Sequence, residues 1–167
     1  HVLSLGDGPE TILVVATIHG DEAAGSPLVE RLARRLAAET PLLDGRRVLI
    51  VPEANPDGRA RNQRTNVHGV DLNRNFPAGN FAGSARHGGE PLSQPESRAL
   101  EALIRETRPA RIASLHQPLA CIDYDGPGKA LAEAMAAACD LPLVKIGARP
   151  GSLGSYAGET LGTPIIT

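Results

Sequence analysis

A histidine and a glutamate stand three positions apart in the segment His19-Gly20-Asp21-Glu22, which directly follows a run of apolar residues. At a turn from a strand to a helix, an imidazole and a carboxylate with this spacing can point at one metal ion. Two histidines and one glutamate, with one position left open, are a known ligand set for catalytic zinc. Because the pattern His-x-x-Glu also arises by chance, a metal site requires a second histidine elsewhere in the chain.

The composition is that of a globular protein. The 167 residues are enough to bury a core, and we expect a single domain over residues 1–167. The formal net charge is −2, so nucleic acid is not an expected partner. No apolar stretch approaches the roughly 20 residues that span a bilayer, so no membrane partner is expected. Cys121 and Cys139 are expected to be ordinary buried thiols, because two cysteines fall short of a disulfide framework.

Strands and helices are predicted to alternate along the chain. Unbroken apolar runs at 12–16 and 48–51 predict strands that are buried on both faces, as in a parallel sheet. Between them, apolar residues at helical spacing predict a helix that starts at Ser26-Pro27 or nearer Asp21. Further strands are predicted at 111–115, 143–146 and 164–167, and helices from a capping box at 93–96 to residue 108 and over 130–139. This alternation predicts an α/β fold, a three-layer sandwich whose mostly parallel central sheet is covered by helices.

Neither end of the sequence resembles a natural terminus. The chain begins at His1 instead of Met, and residues 165–167 have the composition of a strand interior. We therefore expect the domain to be truncated at its C-terminus. The first residue is also compatible with the loss of a signal peptide or another leading segment.

The second candidate ligand is chosen by its position in the predicted sheet. His19 follows the first long strand, and His116 follows Ser114-Leu115 at the end of another. In open α/β sheets, ligands bind in the crevice beyond the carboxyl ends of the strands. We therefore expect His116 to join His19, whereas His68 and His87 are interpreted as solvated loop residues.

Residues 55–92 show no clear periodicity and are rich in Gly, Asn, Arg and Pro. A stretch of this length inside a compact domain is usually functional or disordered. The sequence Asn-Pro-Asp-Gly at 55–58 predicts a tight turn. The sequence Asn-Arg-Asn at 73–75 is poor core material, but arginine and asparagine together can bind a carboxylate.

Four ordered motifs carry a resemblance to a known family. They are residues 19–22 (His-Gly-Asp-Glu), 55–58 (Asn-Pro-Asp-Gly), 69–77 (Gly-Val-Asp-Leu-Asn-Arg-Asn-Phe-Pro) and 114–116 (Ser-Leu-His). In these motifs the chain resembles the zinc metallocarboxypeptidases over nearly its whole length. Segments 116–122 and 150–156 are most similar to a compact bacterial branch, the murein peptide amidases, which cut the γ-D-glutamyl to diaminopimelate bond of cell-wall peptides.

The resemblance implies one Zn²⁺ ion as cofactor, with His19, Glu22 and His116 as its ligands. Asp71 matches the carboxylate that orients the first ligand histidine and fixes its tautomer. A loop aspartate that caps backbone amides is the alternative interpretation of Asp71.

The resemblance also implies the chemistry. Arg64 matches the arginine that polarises the scissile carbonyl, and Asn73 and Arg74 match the pair that binds the free carboxylate of the substrate. A carboxylate general base would remove a proton as water attacks the amide carbon. The implied partner is a small peptide with a free carboxylate, and the implied location is cytoplasmic.

Two family positions have no direct match in the sequence. The general-base glutamate is expected about two residues beyond Thr167, and Glu159 is not a substitute for it. Where relatives have a tyrosine that closes over the substrate, this chain has Gly-Ala-Arg-Pro at 147–150. Tyr156 is the candidate substrate-binding residue in its place, although packing of the loop is the favoured role.

Four functions remain open from the sequence. The first is a zinc amidase acting on murein peptides, and the second is a general metallocarboxypeptidase with a different side-chain pocket. The third is an N-acyl-amino-acid deacylase of the aspartoacylase type, against which the intact Asn-Pro-Asp-Gly at 55–58 argues. The fourth is a metal-binding or metal-free domain without catalysis.

Overall fold

A six-stranded sheet runs through the centre of the protein, which is described over residues 1–167 by a computed structural model. Its strands are β1 (Leu3–Leu5), β2 (Glu10–Ala16), β3 (Arg46–Val51), β4 (Arg111–Leu115), β5 (Tyr124–Asp125) and β6 (Ile165–Ile166). Their order in the sheet is β1-β3-β2-β4-β6-β5. The four central strands are parallel, and β1 and β5 pair antiparallel at the two edges. The predicted mostly parallel centre is confirmed.

Helices cover both faces of this sheet, which confirms the predicted three-layer arrangement. They are α1 (Gly25–Ala38), α2 (Pro56–Arg61), α3 (Pro95–Thr107) and α4 (Lys129–Cys139). One face carries Val14 and Ile50 and packs against α1. The alternate residues Leu13 and Leu49 point to the other face, where they join the core formed with α3 and Phe76. Because β-branched and leucine side chains point to both faces of β2 and β3, the runs in these strands are continuously apolar.

The predicted strand at 143–146 is wrong. This segment forms only an isolated bridge between Leu143 and Ile122, and the edge of the sheet is taken instead by β5. Leu143 and Val144 are 38% and 43% exposed, so the apolar run lacks the burial that would stabilise a sheet strand. The edge strands β1 and β5 were not predicted, since elements of two or three residues carry no periodic signal.

The ends of the helices differ from the sequence prediction only in detail. α1 begins at Gly25, one residue before the predicted start, and α3 ends at Thr107 with Arg108 in a left-handed conformation (φ 43°). The predicted capping box is absent, because Gln94 occupies the N-cap of α3 and makes no side-chain cap. The hydroxyl of Ser93 instead accepts a hydrogen bond from Asn75 Nδ2 at 2.9 Å.

The predicted turn at 55–58 is the start of α2. Asn55 caps this helix, since its side-chain oxygen accepts a hydrogen bond from Gly58 N at 2.9 Å. The expectation of buried cysteines is also corrected. Cys121 is partly buried, Cys139 is exposed, and both are free thiols. None of the helices has both the length and the apolar character needed to cross a membrane.

The irregular stretch after α2 is held in place by buried amide side chains. Asn75 is fully buried, and its Nδ2 donates to the backbone carbonyls of His87 and Glu90 at 2.8 and 3.0 Å. Its Oδ1 accepts from Gln94 N and from Ser97 Oγ at 3.1 and 2.7 Å. These bonds fix residue 75 to the start of α3, and with it the neighbouring segment that carries the predicted substrate-binding pair.

Candidate active site

The loop after β2 presents His19 and Glu22. Gly20, between them, lies against α2, and a Cβ atom at this position would come within 2.0 Å of the backbone carbon of Gly58. Only glycine permits this approach. Both side chains are buried, with His19 2% exposed and Glu22 7% exposed, so the loop turns its polar groups inward at the carboxyl end of the sheet.

The three predicted metal ligands converge at this edge. Glu22 Oε1 lies 2.8 Å from His19 Nδ1, and Glu22 Oε2 lies 2.8 Å from His116 Nδ1. The Nδ1 atoms of the two histidines are 3.2 Å apart. In a tetrahedral zinc site with bonds of about 2.0–2.1 Å, ligand atoms are about 3.3 Å from one another. Two imidazole nitrogens and a carboxylate that face one point at these separations fit a divalent cation.

The electrostatics of the cluster keep the carboxylate ionised. Burial on its own would raise the pKa of Glu22, but hydrogen bonds to His116 and His19 outweigh it and lower the pKa to about 2. Burial lowers the pKa of His19, and its hydrogen bonds to Asp71 and Glu22 reverse this effect, so that the pKa is raised. A metal ion would therefore meet a charged carboxylate at this site.

The outward-facing nitrogen of each histidine has its own partner. His19 Nε2 lies 3.2 Å from Asp71 Oδ1, and Ser114 Oγ lies 3.2 Å from His116 Nε2. Asp71 is buried, and its contacts with His19 and Arg64 hold its pKa far below the usual range despite the opposing effect of burial. Asp71 Oδ1 also accepts from Asn73 N at 3.0 Å, so both interpretations of this residue, histidine contact and backbone cap, are found together.

Arg64 links the metal cluster to an open cleft of about 350 Å³. Its Nε donates to Asp71 Oδ2 at 2.9 Å, and its Nη1 lies 3.5 Å from Glu22 Oε1. The cleft is lined by six of the predicted site residues: His19, Glu22, Arg64, Asn73, Arg74 and His116. The structure therefore brings the predicted ligands, the predicted carbonyl-polarising arginine and the predicted carboxylate-binding pair to one cavity.

Comparison with known proteins assigns the family. The sequence pattern of the zinc carboxypeptidases matches residues 4–125 of this chain. The chain belongs to the zinc carboxypeptidase family. It is 40% identical to murein peptide amidase A of Escherichia coli K12, over 90% of this chain and 67% of the relative. Family membership makes it a hydrolase of the zinc metallopeptidase type, as the four motifs predicted.

Solved structures of zinc carboxypeptidases share its fold. The crystal structure of murein-tripeptide amidase from Escherichia coli O157 matches with a TM-score of 0.74 and 34% identity, over 96% of this chain and 72% of that one. The carboxypeptidase A of Helicoverpa armigera matches with a TM-score of 0.82, over 99% of this chain and 55% of that one. At 22% identity the second match shows the fold alone.

Tyr156 does not line the cleft, which corrects its candidate role in substrate binding. It lies in a π-helical turn (Ser155–Thr160), is 1% exposed, and stacks on Phe76 with ring centroids 6.0 Å apart. Its hydroxyl donates to Glu101 Oε1 on α3 at 2.9 Å. This placement supports the favoured alternative, a packing role, which stays a prediction.

Several residues of the cleft were missed from the sequence. They are Ser114, Gln117, Asp123, Asp125 and Arg149. Gln117 joins the two ligand loops, because its backbone N–H donates to Glu22 Oε2 at 3.2 Å and its Oε1 accepts from Ala24 N at 2.7 Å. Burial raises the pKa of Asp125, although nearby Lys145 opposes the shift. Ser114, Gln117 and Arg149 lie near the ends of predicted strands, whereas Asp123 and Asp125 had no signal in the sequence.

Proposed function

We propose that this protein is a zinc-dependent amidase that cuts an amide bond next to a residue with a free carboxylate. In murein peptides this is the γ-D-glutamyl to diaminopimelate bond. The observation that supports the proposal is the arrangement of one cleft, in which the three metal-binding side chains, Arg64 and Arg74 face the same space. The 40% identity to murein peptide amidase A supports this substrate over other peptides.

His19, Glu22 and His116 are the residues that would hold the zinc ion. When bound in such a site, zinc lowers the pKa of a water molecule to about 7 and polarises a carbonyl group. Asp71 fixes the ring of His19 through its contact with Nε2, and Ser114 does the same for His116. The histidines are thus oriented with Nδ1 toward the cleft before any metal binds.

Arg64 is placed to stabilise negative charge that develops on the substrate carbonyl. Its Nε donates to Asp71 and its Nη1 lies 3.5 Å from Glu22 Oε1, which leaves Nη2 for a ligand in the cleft. An oriented donor of this kind contributes on the order of 3 kcal/mol to transition-state stabilisation. Since Asp71 contacts both Arg64 and His19, it couples the position of this donor to the position of a metal ligand.

Asn73 and Arg74 form the proposed site for the free carboxylate of the substrate. Asn73 Oδ1 accepts a hydrogen bond from Leu153 N at 2.8 Å, and its Nδ2 lies at the cleft, 3.5 Å from His116 Nε2. Arg74 is half-buried and makes no ion pair with a carboxylate of the protein, so its charge is available to a ligand. A guanidinium and an amide donor together recognise a carboxylate with defined geometry.

The general base remains a prediction from the resemblance. Among the acidic residues of the cleft, Glu22 belongs to the metal cluster, Asp125 pairs with Lys145 and Asp123 accepts a hydrogen bond from Ile146 N. Glu159 is bonded to Gly126 N and does not line the cleft. Thr167, which directly follows β6, lines the cleft. A single domain and a cytoplasmic location also stay predictions.

The proposal is tested by incubating the zinc-loaded protein with L-Ala-γ-D-Glu-diaminopimelate and, separately, with dipeptides that have an ordinary α-peptide bond. We expect release of diaminopimelate from the tripeptide, measured by amino-acid analysis, and little cleavage of the dipeptides. Cleavage of the dipeptides alone would defeat the amidase assignment in favour of a general carboxypeptidase. Removal of zinc with a chelator should abolish the activity, and added Zn²⁺ should restore it.

A further inference from the structure

Three arginines line the cleft, and only one of them is paired with carboxylates of the protein. Arg64 contacts Asp71 and Glu22. Arg74 donates only to the backbone carbonyl of Asn73, at 2.6 Å, and the side chain of Arg149 contacts no carboxylate. Asp123 and Asp125 also line the cleft, but neither lies within ion-pair distance of Arg74 or Arg149. Two guanidinium groups are therefore available to a ligand, one more than a single substrate carboxylate requires.

The segment that carries Arg149 is fixed against the segment that carries Arg74. The carbonyl of Gly151 accepts a hydrogen bond from Phe76 N at 3.0 Å, and Asn80 Oδ1 accepts from Gly151 N at 3.1 Å. Gly151 has a φ of +63°, and a Cβ atom there would lie 2.3 Å from the carbonyl oxygen of Arg74. This contact requires glycine, so the two backbones are held together and present both guanidinium groups to the same cleft.

The backbone of Arg149 itself is anchored as well. Its carbonyl accepts hydrogen bonds from Ser152 N at 3.0 Å and from Ser155 Oγ at 2.7 Å. The side chain, in contrast, is exposed at the mouth of the cleft. Burial and the nearby charges of Arg64, Arg149 and Arg86 lower the pKa of Arg74, against the opposing effect of Asp71, which places Arg149 within electrostatic reach. Like charges held this close are stabilised by anionic groups that bind between or beside them.

We propose that Arg149 is a specificity-determining residue that binds a second carboxylate of the substrate, carried by the side chain of the residue whose main-chain carboxylate Arg74 holds. This inference rests on the proposed function. Diaminopimelate and lysine differ by one carboxylate on the carbon that bears the side-chain ammonium. The ammonium is common to both, so any contact that it makes with Asp123 or Asp125 cancels when the two are compared.

The experiment compares two peptides, L-Ala-γ-D-Glu-diaminopimelate and L-Ala-γ-D-Glu-L-Lys, with the zinc-loaded full-length protein and with Arg149→Gln. We expect the native protein to prefer the diaminopimelate peptide in kcat/KM, and the preference to fall about 10- to 100-fold in the variant, the size expected for a lost charged hydrogen bond. Arg149→Lys should recover part of the preference for the diaminopimelate peptide. Lysine keeps the positive charge but cannot bind a carboxylate in the bidentate manner of a guanidinium.

Arg86→Gln is the matched control, because Arg86 also acts on Arg74 by its charge but does not line the cleft. An equal fall of the preference in this variant would assign the effect to net charge and overturn the role of Arg149, as would an unchanged preference in Arg149→Gln. If the native protein cleaves neither peptide, the proposed function fails, and calorimetric titration with free diaminopimelate and free lysine tests Arg149 separately. Arg149→Gln should then weaken binding of diaminopimelate toward that of lysine, and equal binding of diaminopimelate to both proteins would refute the inference.

Discussion

The metal cluster and the far end of the cleft differ in how their charges are paired. In the cluster, every ionisable side chain contacts another, from Arg64 through Asp71 and His19 to Glu22 and His116. At the far end, Arg74 and Arg149 have no carboxylate partner. The first region presents a buried carboxylate and two imidazoles that can bind a cation, whereas the two arginines of the second region can bind anionic groups. The difference indicates that one region is arranged for a resident metal and the other for a ligand that arrives and leaves.

The largest effect on zinc binding and activity is expected from the removal of a metal ligand. We expect His116→Ala to lose stoichiometric zinc binding and all hydrolytic activity, because the two remaining protein ligands cannot bind the ion tightly. Metal content after gel filtration, by elemental analysis, gives the measurement. His68→Ala is the control, since His68 is exposed and contacts Gln94 instead of the cluster. Zinc retained at one ion per chain in His116→Ala would refute the ligand set.

A smaller effect is expected at Asp71, which contacts both a metal ligand and the carbonyl-polarising arginine. Asp71→Asn removes a negative charge that contacts both His19 and Arg64, so zinc affinity should fall about 10- to 100-fold. Competition with a chelator of known affinity measures this. Asp57→Asn, on the exposed first turn of α2, provides the control. Unchanged zinc affinity in Asp71→Asn would leave only the backbone-cap role for this residue.

The smallest effect is expected at Tyr156, where a substitution distinguishes a packing role from a role in substrate binding. Tyr156→Phe should lower the free energy of unfolding by about 1 kcal/mol, because Glu101 loses a partly buried hydrogen-bond donor and keeps its contact with Arg105. KM for the tripeptide should not change, since the side chain is outside the cleft. Denaturant unfolding and steady-state kinetics provide the two readouts. A raised KM with unchanged stability would restore the substrate-binding role.

The parts that the sequence predicted are those in which local pattern and tertiary position agree. Continuous apolar runs marked β2 and β3, and a third strand was predicted at 111–115, where β4 lies. The ends of β2 and β4 placed His19 and His116 at one edge of the sheet. The same logic failed at 143–146, where an apolar run is exposed because the short strand β5 takes the edge of the sheet. Which of two segments forms the edge strand of the sheet depends on the whole fold, so the sequence of neither segment predicts it alone.

Fewer residues were predicted at the far end of the cleft than in the metal cluster, for a related reason. Asn73 and Arg74 lie in a recognisable motif, but Arg149 reaches the same cavity only because Gly151 packs on the backbone of Arg74. Asp123 and Asp125 reach it because β5 turns back along β6. Contacts between segments this far apart in the sequence are set by packing, and one sequence alone does not show them.

The buried Asn75 has a consequence for how substrate enters. Since this one side chain ties the Arg74 segment to 87–97, that wall cannot swing outward without breaking all of these bonds at once. We expect admission of a peptide to depend on another part of the rim, where residues 117–120 and 144–147 belong to no helix or strand. Amide hydrogens of that rim should exchange with solvent sooner than those around Asn75, and a bound peptide should slow them selectively.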